Sequence, residues 1–199
     1  MMRSWFPSTA FTAMLCGGCA STPIHYYSLD PGAESSDDGS VAVPYTVEMK
    51  RVRIPAEVDR PEIVVRRTGE QLDVLGNDLW GAPLRDEIQH ALLERIRHDL
   101  SHAATADSAT NPAPRRFMLF VDVERFEAVP ARHVLVQAQW RVAVRDAEAS
   151  DVALSCSTEV GINVTDSIPA LVLGYQQALA IIADRIASNV IEPLACPKS

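Results

Sequence analysis

Three consecutive runs of period-two alternation between residues 117 and 163 constrain this chain more than any other feature. In the first, Phe117, Leu119, Val121 and Val123 alternate with Met118, Phe120, Asp122 and Glu124. In the second, Val134, Val136, Ala138, Trp140, Val142 and Val144 alternate with Leu135, Gln137, Gln139, Arg141, Ala143 and Arg145. In the third, Leu154, Cys156, Val160 and Ile162 alternate with Ser155, Ser157, Glu159 and Asn163. Successive side chains of a strand point to opposite faces, so each run predicts a strand with one buried face and one wet or lightly covered face. The connections at 127–130 and 146–151 are short, which predicts an antiparallel meander.

Apolar spacing places the other elements. Val47, Met49, Val52 and Ile54 predict a strand over 45–54 whose alternation slips near Arg51, the mark of a bulge. Residues 62–67 and 71–75 predict two short strands around a turn at Thr68-Gly69-Glu70. Leu84, Ile88, Leu92, Ile96 and Leu100 recur every four residues and predict a helix over 83–100, with Pro83 in its first turn. Residues 101–115 are polar and contain Pro112 and Pro114, so a loop is expected there. Leu171, Tyr175, Ala178, Leu179, Ile182, Ile186 and Val190 predict a second helix over 169–191, N-capped by Ser167. The expected fold is α+β, a largely antiparallel sheet with two main helices packed on one face.

The N-terminus carries an address. Arg3 precedes a mostly apolar stretch over 5–15, and small residues follow up to Cys19, the pattern of a signal peptide covering 1–18. A Cys directly after those small residues resembles the lipobox of bacterial lipoproteins. That resemblance implies a thiol carrying diacylglycerol, an acylated new N-terminus of the palmitate type, and a mature chain beginning at Cys19. The alternative is plain secretion with cleavage near Ala20 and a free thiol. Pro7, Ser8 and Thr9 interrupt the stretch, which is shorter than the about 20 apolar residues a span requires. The expected organisation is a signal peptide at 1–18, a lipidated arm and flexible linker at 19–44, and a single α+β domain at 45–199.

Charge and cysteine content narrow the class. Asp and Glu total 26 against 18 Lys and Arg, for a formal net charge of −8, which argues against nucleic-acid binding. Beyond Cys16 and Cys19 the chain holds Cys156 and Cys196, an even pair in an exported protein. A disulfide between them would close a loop of about 40 residues; two separate buried thiols are the other reading.

No glycine-rich phosphate loop, no Gly-x-Ser-x-Gly elbow and no Cys-x-x-Cys pair occurs in the sequence. His90, Glu94, His98 and His102 are spaced by four residues, as metal ligands on one helix face can be. At about 100° per residue, however, His90 and Glu94 fall opposite the apolar stripe and His102 beyond the helix end. A solvated polar face is the reading that fits, with Glu94 paired to Arg97 or an imidazole. No catalytic residue, metal ligand or cofactor is expected.

A family resemblance rests on specific segments. These are Tyr26-Tyr27-Ser28-Leu29 soon after Cys19, an Ile54-Pro55…Asp59-Arg60-Pro61-Glu62-Ile63-Val64-Val65-Arg66 core, and Trp80-Gly81-Ala82-Pro83-Leu84 at the entry to the first helix. Together with Ala138-Gln139-Trp140 they resemble the PqiC-like family of ABC-type transport auxiliary lipoproteins. The resemblance implies a non-enzymatic, lipid-anchored component on the periplasmic face of the outer membrane. It implies docking of a mammalian-cell-entry (MCE) domain protein in intermembrane lipid transport, as a homo-oligomeric ring. The motif residues Tyr26, Tyr27, Leu29, Pro55, Arg60, Pro61, Trp80 and Pro83 then either build the fold or contact that partner. The alternative function is a lipid-anchored envelope-maintenance or assembly protein without a transport role.

Overall fold

The computed structural model describes residues 22–30, 45–67, 69–106, 115–145, 152–191 and 196. The signal peptide, Cys19, residues 31–44 and the connection at 146–151 lie outside the described residues. In chain order the elements are β1 (His25–Tyr27), β2 (Tyr45–Arg53), β3 (Glu62–Arg66), β4 (Leu72–Trp80), α1 (Leu84–Ala106), β5 (Arg115–Val129), β6 (His133–Arg145), β7 (Val152–Asn163) and α2 (Ile168–Ile191).

The fold is α+β. β5, β6 and β7 form the antiparallel meander, and β2 joins β5 in parallel to complete a four-stranded sheet of order β2-β5-β6-β7. A smaller sheet has the order β1-β4-β3, with β3 and β4 antiparallel and β1 parallel to β4. The strands therefore divide into two sheets, each carrying one parallel pair at its edge.

One face of the large sheet supplies the core. Phe117, Leu119, Val121, Val134, Val136, Ala138, Trp140 and Cys156 are buried together with the stripe of α1 and that of α2. α2 packs on β6 and β7, while α1 packs on β2 and on α2. The α1 stripe reads Leu84, Ile88, Leu92, Ile96 and Leu100, none more than 3% exposed. Arg95 reaches across from α1 to Asp184 of α2 at 2.8 Å and also pairs with Asp99 at 3.3 Å. Thr158, in the inward stripe of β7, is buried because its hydroxyl accepts the Trp140 indole N–H at 3.0 Å.

Helix α2 begins under a side-chain cap, with Ser167 Oγ accepting the Ala170 N–H at 3.3 Å. Inside it, Gly174 faces the sheet. A Cβ built there would lie 2.7 Å from Val164 Cγ1 and 2.9 Å from Val134 Cγ2, so the missing side chain sets how closely α2 approaches β6.

Three boundaries differ from the sequence reading. β4 runs from Leu72 to Trp80, where a strand over 71–75 was expected, and its last residues pair with β1. β5 continues to Val129 instead of ending near Glu124. The register to β6 shifts between Val123 and Arg125, so the buried positions switch from odd to even numbers and continue as Phe126 and Ala128. A bulge hides the continuation because it breaks the alternation without ending the strand. Likewise α1 runs through Ala106, where a loop from residue 101 was expected. The Ser101 hydroxyl bonds back to the His98 carbonyl at 2.7 Å and so is satisfied inside the helix. The slip near Arg51 is a register shift between Met49 and Arg51 of β2. Gly69, in the turn between β3 and β4, has a φ of 63°, which a Cβ would disfavour.

Candidate functional site

The motif segments converge where the N-terminal arm meets the start of α1. β1 aligns His25, Tyr26 and Tyr27 with Asp78, Leu79 and Trp80. The pairing ends in a bond from the Gly81 N–H to the Tyr27 carbonyl at 2.7 Å. The chain then turns inward, and Leu29 is wholly buried. Its N–H donates to Glu87 Oε2 at 2.8 Å, and the Ser28 hydroxyl donates to the same oxygen at 2.8 Å. Gln176 of α2 donates to the Ser28 carbonyl at 3.0 Å, and His90 pairs with Asp30 at 3.3 Å. The arm is thus held at consecutive residues by β4, α1 and α2.

Glu87 is suited to this task by position. It lies in the first turn of α1, where the helix dipole favours an anion, and it is only 7% exposed. A buried carboxylate must be paired or hydrogen-bonded, and the arm supplies both donors. Gly81 stands against it, since a Cβ there would meet Glu87 Oε1 at 3.3 Å. Pro83 precedes α1, and its carbonyl accepts the Asp86 N–H at 2.8 Å and the Glu87 N–H at 3.1 Å.

The arm's two tyrosines divide. Tyr27 packs against the core and donates its hydroxyl to Asp78 at 3.1 Å. Burial, then the bond and charge of Asp78, push the Tyr27 phenol above its ordinary value. Tyr26 is 68% exposed and Ile24 is 54% exposed.

The bend at 55–61 is tied to the same corner. Pro55 O accepts the Val58 N–H at 3.2 Å, Pro61 O accepts the Trp80 N–H at 2.8 Å, and Asp59 pairs with Arg85 of α1 at 2.8 Å. Arg60 is exposed, with Nε donating to Glu62 at 3.1 Å. Trp80 is buried edge-on to Phe126 and Tyr175, and those two rings stack at 3.9 Å with an interplanar angle of 3°. Burial, with the charge of Glu127 adding to it, pushes the Tyr175 phenol well above its ordinary value. Burial acts to raise the Glu127 carboxyl, but the Arg66 bond at 2.7 Å and the charges of Arg66, Arg125 and His133 outweigh it, leaving that carboxyl below its ordinary value.

Of the sequence-derived residues, the structure brings Tyr27, Leu29, Trp80 and Pro83 together around the start of α1, with Pro61 bonded to Trp80, while the Pro55 carbonyl is bonded within the bend to the Val58 N–H. Tyr26 and Arg60 lie at its exposed margin. Cys156 and Cys196 form a disulfide with Cα atoms 5.4 Å apart. The spaced α1 residues pair separately: His90 with Asp30, Glu94 with Arg97 at 2.9 Å, and His98 with Asp99 at 3.2 Å. His102, expected beyond the helix end, lies within α1, which runs to Ala106; its side chain lies outside the described residues. Sequence reasoning missed Glu87, Ser28 and Gln176. An acidic residue in a first helical turn is common, and only the approach of the arm distinguishes this one.

Comparison with known proteins shows the same architecture elsewhere. A crystal structure of an uncharacterized protein matches 85% of this chain and 99% of its own, at 15% identity and a TM-score of 0.63. The crystal structure of protein XCC0632 from Xanthomonas campestris matches 73% of this chain and 83% of its own, at 19% identity and a TM-score of 0.50. At such identities the likeness concerns the fold. No curated protein matches the chain. A family model does, over residues 27–187, from the second tyrosine of the arm to the last turns of α2, and it describes lipoproteins that assist transporters, not an enzyme family. The chain belongs to the family of ABC-type transport auxiliary lipoprotein components.

Proposed function

We propose that this protein is a non-catalytic, lipid-anchored adaptor of an ABC/MCE-type intermembrane lipid transport system. Cys19 carries the acyl chains and holds the protein on the periplasmic face of the outer membrane. The folded body docks the MCE-domain protein of the same system, with identical copies arranged as a ring. The observation that carries this reading is the family match over 27–187. It is supported by the arm that follows Cys19 being strapped to the body at Glu87. His90, Glu94 and His98 are each engaged in a separate pair, with Asp30, Arg97 and Asp99.

The test is capture from detergent-extracted envelopes. The lipidated chain should retain an MCE-domain protein, and Cys19→Ala should leave the membrane fraction and lose envelope protection. Replacing His90, Glu94, His98 and His102 together with Gln should leave capture and permeability unchanged. Loss of envelope function in that quadruple variant, while it stays folded and anchored, would sink the adaptor reading.

A further inference from the structure

We propose that the exposed side of the arm strand, Ile24 and Tyr26, rests in the polar layer of the bilayer to which the protein is anchored. The clasp at Glu87 would thereby fix the orientation of the whole body on the membrane. This inference rests on Cys19 being the lipidated residue.

The argument begins with chain length. Six residue steps separate Cys19 from His25, the first residue of the arm that is paired to the body. A fully extended chain advances about 3.3–3.6 Å per residue, so His25 lies within about 22 Å of the acylated backbone. From there the arm has little slack. β1 is paired to β4, Tyr27 O is bonded to Gly81, Ser28 O to Gln176, and Leu29 N to Glu87. A body attached through this leash and a bonded strand keeps the corner around β1, β4 and the start of α1 within reach of the lipid.

The surface at that corner has suitable chemistry. The large apolar side chains exposed among the described residues are Ile24, Tyr26, Leu72, Val74 and Leu173, and Tyr26 is the most exposed at 68%. Ile24 and Tyr26 are also the two nearest in sequence to Cys19. A strand standing upright from the membrane would leave both in water; one lying flat places them in a polar layer roughly 5–8 Å deep. Tyrosine suits that layer because its ring is apolar and its hydroxyl needs water or a headgroup. The carboxylates beside the arm are already hydrogen-bonded within the protein, Asp78 by the Tyr27 hydroxyl at 3.1 Å and Glu87 by the Leu29 N–H and the Ser28 hydroxyl at 2.8 Å each. The formal net charge of −8 disfavours a strongly anionic surface, which makes a zwitterionic bilayer the fitting partner.

The experiment uses the full lipidated chain in phosphatidylcholine vesicles, with and without brominated acyl chains as quenchers. Tyr26→Trp and Ile24→Trp report on the arm. Ser157→Trp reports on the outward face of the large sheet, opposite the helices that hold the arm. The buried Trp80 and Trp140 are subtracted using the parent protein. Both arm reporters should lose emission in brominated vesicles, because an indole at the membrane interface lies beside the acyl chains, while Ser157→Trp should not change. Flotation and the mass of the N-terminal peptide accompany each sample. Arm reporters that stay unquenched in a chain that floats and carries acyl mass overturn the membrane-contact inference while leaving the anchor intact. A chain without acyl mass that stays in the aqueous fraction overturns both.

Discussion

One carboxylate oxygen of Glu87 accepts both the Leu29 N–H and the Ser28 hydroxyl, each at 2.8 Å, although Leu29 lies 58 residues earlier in the chain. The contact converts a polar residue at the start of a helix into the receptor for the N-terminal arm. Replacing Glu87 with Ala should free residues 22–30 while the two helical stripes stay packed. Stability should fall by about 1–3 kcal/mol, the usual cost of leaving buried donors without a partner. Hydrogen exchange at the Leu29 amide is the direct measure; unchanged protection in Glu87→Ala would mean that the arm is held without this carboxylate.

Gly174 sits where α2 meets β6 and the residue after β7. Substitution by Ala ordinarily favours a helix by about 1 kcal/mol. Here the added methyl would meet Val134 Cγ2 at 2.9 Å and Val164 Cγ1 at 2.7 Å. Overpacking of this kind costs about 1–3 kcal/mol, so the net change in urea unfolding should be destabilising. A stabilised Gly174→Ala would show that α2 shifts outward at no cost.

The bond between Cys156 and Cys196 spans a sequence separation of 40. In the chain-entropy model a loop of that size contributes about 4 kcal/mol by restricting the unfolded chain. Cys156→Ala with Cys196→Ser should therefore lower the melting temperature markedly. Trapping free thiols in the denatured, unreduced protein should label neither cysteine of the parent.

Glu127 makes stability depend on pH. Arg66, Arg125 and His133 hold its carboxyl below the ordinary 4.5, against the opposing effect of burial. A depressed folded-state value adds stability that is present above the unfolded value and is lost as pH falls through the folded one. Glu127→Gln should be less stable than the parent at pH 7 by about 1–2 kcal/mol, a charge-assisted bond discounted for partial exposure. The gap should narrow as pH drops below 4.5. A gap that stays constant to pH 3 would show that the carboxylate's charge is not what matters.

Much of the local structure was legible because apolar periodicity is a local property. Leu84, Ile88, Leu92, Ile96 and Leu100 identify the buried side of α1 by spacing alone, and all are buried. The inward positions of β6, Val134 to Val142, follow from alternation in the same way, and the slip before Arg51 marked a real register shift. The motif resemblance in 26–84 led to the family that the match over 27–187 shows.

Tertiary structure decided what depends on partners distant in sequence. Alternation says that β2 and β5 each have a buried face, but not that they lie side by side and parallel. It also fails at Glu124, where a bulge moves the buried positions from Val123 to Phe126 and carries β5 to Val129. Tyr27 and Leu29 looked like part of a linker arm because three strand residues cannot bury themselves; β4 and α1 supply the cover. Glu87 could not be read from its neighbours at all. Its role is defined by two donors on a segment 58 residues away, and only the folded chain brings them within hydrogen-bonding reach.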